Sequence, residues 1–311
     1  METTLYIGPA GWSYGDWNGI VYPQKKPTRF DPLSYLSSYF NVIEVNSTFY
    51  RVPKASACAS WAQRISHRSD FQFTLKAFRE FTHGKTPPSE QEVNAFKNAI
   101  APLHSEKRLS TILIQFPWSF RFSLQTARYI ATLVKWYAPY PTSVEVRHGS
   151  WASPPAITFF KDNDITMCGI DQPQIGSSLP AESYNVATTG AYFRLHGQNK
   201  REWFRRDTNR DLRYDYLYSS GELERWVGRI QHLYGKVSRI HVVLNNHFRG
   251  QAVANALQLK AMLCGERSAA PQGILDAYPH LSALLESDTR PDETSGDPTR
   301  QGSLFENQDG Q

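Results

Sequence analysis

Short runs rich in Val, Ile, Leu and Phe alternate along the chain with longer amphipathic stretches, the pattern of βα units that feed a parallel sheet. Eight runs read as strands: 5–8, 41–47, 71–76, 111–116, 143–147, 165–170, 191–196 and 239–245. Helix starts between them are signalled by Asp31-Pro32, by the capping-box spacing Ser89 to Glu92, by Ser123 ahead of an apolar-periodic run, and by Gly221-Glu222. Eight alternations predict a single TIM-type (β/α)8 barrel over 1–285, an α/β fold for which ~250 residues is the usual size. No internal repeat or composition break suggests a second domain.

Strands covered by helices on both faces normally read as nearly continuous aliphatic residues. Two here do not. The second reads Val42-Ile43-Glu44-Val45-Asn46 and the fifth Val144-Glu145-Val146-Arg147. A period of two puts Glu44 with Asn46, and Glu145 with Arg147, on one face and the valines on the other. The same parity sends Lys76, Gln115, Arg194, His196 and Asn245 to the barrel interior, all near the C-terminal strand ends where such barrels carry their active sites.

An unpaired charge there would cost several kcal/mol. These residues therefore imply either a structural ion-pair lattice, such as Glu44 with Arg147 and Glu145 with Arg194, or a solvated pocket. Contributions from six strands favour the pocket. Within it, Glu44 and Glu145 are the candidate general acid and base, and His196 is a candidate partner in the proton transfer. Lys76, Arg147 and Arg194 are candidate phosphate clamps, with Asn46, Gln115 and Asn245 as polar lining. A metal held by His196, the two glutamates and Asp171 lacks the local His spacing of a metal motif, so no ligand set is assigned, and the pattern names no cofactor.

Composition narrows the setting. A hydrophobic content of 40% over 311 residues supports a large core and excludes a disordered or fibrous protein. Cys58, Cys168 and Cys264 lie far apart with no ligand or disulfide spacing, which suggests a reducing, cytoplasmic location. No run approaches the ~18 apolar residues of a membrane span, and the N-terminus shows no signal-peptide pattern, so neither secretion nor membrane insertion is expected. The formal charge is +5, yet the stretch 286–311 carries seven acidic residues against two arginines. The body is accordingly near +10, enough to attract polyanions at long range.

The segment 198–218 adds to this. Lys200, Arg201, Arg205, Arg206, Arg210 and Arg213 interleave there with Trp203, Phe204, Tyr214, Tyr216 and Tyr218. Cations with stacking surfaces suit single-stranded or distorted nucleic acid. A solvated lid over the barrel mouth is the alternative.

Several motifs taken together resemble the YecE-like family, domain of unknown function number seventy-two. They are IGPAGWSYGDWNGIVYP (7–23), FNVIEVNSTFYRVP (40–53), FQFTLKAFREFTH (71–83), IQFPWSF (114–120), VEVRHGSW (144–151), YFRLHG (192–197), RYDYLYS (213–219) and NNHFRGQAVANAL (245–257). The resemblance implies a TIM-type barrel and little about activity. Its motifs contain the interior set derived above and add Trp12, Tyr14, Tyr50, His83, His148 and Trp151 as rim residues, each equally open to a packing role. Ala77-Phe78 and Trp118 depart from the family text without touching the charged set.

Beyond 285 the sequence turns to Asp, Glu, Pro, Thr, Gly and Gln, and a disordered acidic tail is expected. It carries Gln301-Gly302-Ser303-Leu304-Phe305, which resembles the peptide with which bacterial replication and repair proteins bind the sliding clamp. That resemblance implies Leu304 and Phe305 in an apolar pocket and Gln301 and Ser303 at its edge; Gly302 departs from it, where a larger apolar residue is usual.

The leading expectation is an enzyme acting on nucleic acid or a phosphate-bearing substrate in DNA repair or processing. Two alternatives stay open: an isomerase, lyase or hydrolase of a small phosphorylated or sugar-like molecule, and a non-enzymatic nucleic-acid-binding adaptor.

Overall fold

The computed structural model describes residues 2–205 and 210–288. Its strands are β1 (Thr4–Pro9), β2 (Val42–Val45), β3 (Gln72–Lys76), β4 (Leu109–Gln115), β5 (Thr142–Glu145), β6 (Thr166–Met167), β7 (Gly169–Asp171), β8 (Ala191–Leu195), β9 (Arg239–Leu244), β10 (Ser268–Ala270) and β11 (Leu285–Ser287). The first nine fall on the eight expected runs, the sixth run being split at Cys168 into β6 and β7. All ladder pairs are parallel. One sheet has the order β2-β3-β4-β5-β6, a second β1-β9-β8-β7, and β10 with β11 forms a small third. The expected α/β class with parallel strands is therefore found. The boundary expected after 285 falls inside β11.

Helices between the strands start where side chains cap them. Asp31 accepts from the Leu33 N–H at 2.9 Å at the head of the helix Pro32–Ser37. Ser89 and Glu92 form the expected capping box of Glu90–Ser105. Ser123 and Thr126 do the same for Leu124–Tyr137. The helix expected at Gly221-Glu222 begins slightly earlier, at Ser220, because Ser219 and Glu222 close a box there. Most long helices bury one stripe, for example Val93, Phe96, Ile100 and Leu103, whereas Gln251–Cys264 is buried on nearly every side.

The two large sheets lie side by side at two places. Between β1 and β2, the Gly11 N–H donates to Glu44 O at 2.8 Å, and Asn41 bridges through its amide to Leu5 O (2.8 Å) and from the Ile7 N–H (3.1 Å). Gly8 is required for this approach, since a Cβ there would stand 1.8 Å from Val42 O. Between β6 and β7, the Cys168 N–H donates to Val144 O of β5 at 2.8 Å, and the next three residues pair with β8.

Among the described residues no helix is long and apolar enough to cross a membrane. The region 289–311, with the acidic tail and the peptide 301–305, lies outside the described residues.

Candidate functional site

The polar strand positions converge as their parity requires. Glu44 on β2, Glu145 on β5 and Arg194 on β8 are fully buried and meet at the centre. One guanidinium nitrogen of Arg194 donates to Glu44 Oε1 at 2.6 Å and the other donates to Glu145 Oε2. Arg147 donates from Nε to Glu145 Oε1 at 2.7 Å. Two carboxylates around one guanidinium would leave an excess negative charge, and Arg147 balances it. Burial alone would raise the Glu145 carboxyl, but Arg194 and then Arg147 outweigh it and hold the group well below the usual carboxylate range.

Further contacts complete this cluster. The Tyr192 hydroxyl donates to Glu44 Oε2 at 2.8 Å and lies 2.9 Å from Thr74 Oγ1. His196 Nε2 is 3.5 Å from Glu145 Oε1, and the Asn245 amide nitrogen is 3.0 Å from His196 Nδ1. Burial lowers the His196 imidazole to about 3 against the favourable charge of Glu145, so the ring is neutral at physiological pH. One layer deeper, His241 stacks between Tyr6 and Tyr192 and sits 2.6 Å from Ser110 Oγ.

Over this cluster opens a cavity of ≈1010 Å³. Asn46, Lys76, Gln115, Arg147 and Asn245 line it, whereas Glu44, Glu145, Arg194 and His196 do not. Trp12, Tyr14, Tyr50 and His83 stand on its walls and rim. The segment after β8 supplies Trp203, Phe204, Arg205, Asp211, Arg213 and Tyr214. Among the described residues, Lys76, Arg79, Arg147, Arg205 and Arg213 thus face one lining carboxylate, Asp211. Such a cation-rich concavity attracts anions.

Lys76 is the least ordinary of these residues. Its Nζ stands 4.1 Å from the centre of the Phe49 ring, and its side chain is nearly buried. Burial lowers the amine to about 7, helped by Arg194 and opposed by Glu44 and Glu145, whose charges are already matched by the two arginines.

Two of the resemblance-implied rim residues sit elsewhere. His148 caps the turn Gly149–Ala152, accepting at Nδ1 from the Ser150 N–H at 3.1 Å, and its ring lies against Trp118. Trp151 is buried and donates to Phe120 O at 2.8 Å. Asp171 is also remote from the glutamates and accepts from the Gln198 amide. Among the described residues no group of three or more His, Cys, Asp or Glu is placed to hold a metal ion.

The basic-aromatic segment divides in two. Trp203, Phe204, Arg213 and Tyr214 turn toward the cavity, and Arg213 Nε is buried with no partner among the described residues. Tyr216 and Tyr218 instead act as struts: Tyr216 donates to Glu222, and the Tyr218 hydroxyl accepts from the Gly197 N–H at 2.7 Å. Gly197, at φ 91°, makes the turn from β8 into the segment, where a Cβ would strike Tyr216 at 2.7 Å. Arg201 is 86% exposed beside Glu202. Arg206 and its neighbours to 209, and the side chain of Arg210, lie outside the described residues.

Sequence reasoning missed Tyr192 and His247. Tyr192 carried a usable signal, since it shares strand parity with Arg194 and His196. His247 did not: it lies beyond β9 and reaches the cavity by stacking on Tyr14, with ring centres 4.5 Å apart.

A family model described as protein of unknown function DUF72 matches residues 6–276. The UPF0759 protein YunF of Bacillus subtilis (strain 168) is 31% identical over 288 residues, covering 88% of this chain and all of that protein. A crystal structure of a DUF72 family protein from Thermotoga maritima MSB8 is similar with a TM-score of 0.71 at 36% identity, covering 83% of this chain and 98% of the other. One from Enterococcus faecalis V583 gives 0.72 at 25% identity, covering 84% and 96%.

Proposed function

From the premise that this chain belongs to the family of proteins of unknown function DUF72, we propose that it is a cytoplasmic enzyme whose cavity holds the phosphate-bearing part of a substrate. The observation that carries the proposal is the imbalance of lining charge among the described residues, five Lys or Arg against one Asp, over a base furnished with the amides of Asn46, Gln115 and Asn245. Arg147, anchored by Glu145 yet open on its other side, and Arg213, with an unpartnered Nε, are the phosphate ligands in this reading. The acid/base role expected of Glu44 and Glu145 passes to the cavity wall, because both carboxylates are spent on arginines and neither lines the space. His196 and Arg194 are positioning residues beneath it.

The eight strand runs are proposed to close as one (β/α)8 barrel. Support comes from the Gly11 to Glu44 bond joining β1 to β2, and from Cys168, which leaves β5 as its neighbours join β8. Closure would put every polar strand end on one mouth.

Inorganic phosphate and pyrophosphate titrated calorimetrically against the wild type and Arg147→Gln test the site. Loss of one charged hydrogen bond, worth about 1.5–3 kcal/mol, should weaken binding about tenfold or more. Equal affinities would remove Arg147 from the site and the reading with it.

A second reading keeps nucleic acid as the bearer of the phosphate. Its specific support is the pair of exposed rim aromatics, Tyr50 at 61% and Phe204 at 51%, beside Arg79 and Arg205. Nicked, abasic and single-stranded DNA should then bind with a salt slope that falls in the Arg205→Gln variant. The peptide Gln301, Ser303, Leu304 and Phe305 is proposed to engage the bacterial sliding clamp. Pull-down by purified clamp should fail for the Leu304→Ala, Phe305→Ala double variant, and unchanged capture would dismiss the contact.

A further inference from the structure

Lys76 does something in this cavity that a phosphate ligand need not do. A lysine that binds anions works best as a permanent cation, exposed enough to remain protonated. Lys76 is placed to lose its proton: the side chain is nearly buried at the end of β3 and the guanidinium groups of Arg194 and Arg147 act against its charge, although the Phe49 ring 4.1 Å from Nζ favours the ammonium form. Among the described residues no carboxylate stands within ion-pair distance of it, because Glu44 and Glu145 are engaged by Arg194 and Arg147.

We propose that Lys76 is a nucleophile which forms an imine with an aldehyde or ketone carried by the phosphate-bearing substrate. The proposal rests on the anion-site reading above and names the reactive group of its ligand. The Nζ lone pair adds to the carbonyl carbon as the C=O π pair moves to oxygen. The two protons of the amine pass to that oxygen, which leaves as water, and a C=N bond replaces the C=O bond with no change in oxidation state. Gln115, Asn46 and Asn245 line the same space and supply amide donors for the carbonyl oxygen during the addition. A free amine near neutrality meets the requirement for this chemistry, and the amine's lowering to about 7 agrees with the geometry.

The source of the carbonyl is either a small phosphorylated aldehyde or ketone, or the open-chain sugar of an abasic site flanked by phosphates in DNA. Two probes separate them. Full-length protein is incubated with pyridoxal 5′-phosphate, or with an oligonucleotide containing one abasic site, each with cyanoborohydride to trap the imine, and adducts are mapped by peptide mass spectrometry. At pH 7 the Lys76 adduct with one of these probes should exceed that at any other lysine by more than about tenfold, since ordinary amines with pKa ≈ 10.4 are almost fully protonated there. Its yield should climb through pH ~7 and level off, while surface lysines continue to rise toward pH ~10. The charged groups facing Lys76 are Glu44 from β2, Glu145 and Arg147 from the end of β5 and Arg194 from β8, and His83 from the helix Glu80–His83 is a titratable neighbour that burial lowers to about 4.

Trapping by pyridoxal 5′-phosphate well above pyridoxal, with excess phosphate protecting, supports a small phosphorylated carbonyl. Trapping by the oligonucleotide above a phosphate-free aldehyde supports the nucleic-acid source. Lys76→Arg keeps the charge and should take up neither probe. Adducts spread over surface lysines while inorganic phosphate still binds would overturn the imine and leave the anion site standing. Failure of phosphate binding as well would overturn both. The wild-type adduct map decides the matter even if a Lys76 variant folds poorly.

Discussion

At the base of the cavity each carboxylate and guanidinium has a counter-ion, although Arg194 Nε is buried without a hydrogen bond, whereas one step up the wall Lys76 has no carboxylate within ion-pair distance among the described residues. Glu44, Glu145 and Arg194 come from strand ends like those of Lys76, Gln115 and Arg147 and are of the same chemical kinds, yet the first three have almost no exposure and the others face open space. The difference lies in charge matching. Two carboxylates and two guanidinia close a neutral set, and a third cation, Lys76, is surplus to it. A closed set fixes the relative positions of β2, β5 and β8, while a surplus group next to a cavity is left for a ligand. Arg147 belongs to both groups, ion-paired with Glu145 and lining the cavity, so a partner already in place marks a structural charge without closing it to the cavity.

Breaking the base should cost most. Arg194→Met leaves Glu44 without its ion-pair partner and Glu145 with Arg147 alone, and removal of one member of a buried pair costs about 3–5 kcal/mol. A wild-type urea midpoint in that variant would erase the distinction between base and wall.

Acid should act next. His196 and His241 are pushed by burial to about 3 and about 4 in the folded protein against 6.5 when unfolded, and Glu145 is held below its ordinary value. The unfolded chain therefore takes up protons first, so stability is full above pH ~6.5 and is lost as pH falls toward the folded values. A loss on the order of 2–4 kcal/mol by pH 5 is expected from the two histidines, and denaturation midpoints flat between pH 7 and 5 would contradict it.

Lys76→Met sharpens the contrast from the other side. It deletes a cation with no carboxylate of its own, so stability should hold or rise by about 1 kcal/mol while carbonyl trapping disappears. The same linkage has wild-type stability increasing from pH ~7 toward ~10, because the unfolded amine binds protons more tightly there; the variant should lose this slope. Destabilisation comparable to Arg194→Met would place Lys76 in the base instead.

The smallest effect belongs to the outer segment. Arg201→Ala, at an 86% exposed side chain, should change stability by less than about 0.5 kcal/mol. A larger loss would show that the segment is part of the packed body.

Much of this was legible in the chain itself. The period of two fixed which faces of β2, β5 and β8 carry charge, because side chains alternate on a strand whatever surrounds it. The capping residues Asp31, Ser89 and Ser123 marked helix starts because their bonds are local. The eight strand runs were likewise readable, since most of their positions are buried and therefore rich in Val, Ile, Leu and Phe.

Partnership was legible only in part: the expected pair Glu145 with Arg194 forms, and the expected pair Glu44 with Arg147 does not. Local pattern could propose Glu44 with Arg147, but Arg194 reaches Glu44 across 150 residues and leaves Arg147 to Glu145. Nor could it distinguish His148 as a turn cap from His83 as a rim residue, or bring His247 onto Tyr14. Alternation and capping depend on neighbours within a few residues, so the sequence alone determines them. Which buried charge is satisfied depends on side chains meeting from distant strands, and tertiary structure alone decides that.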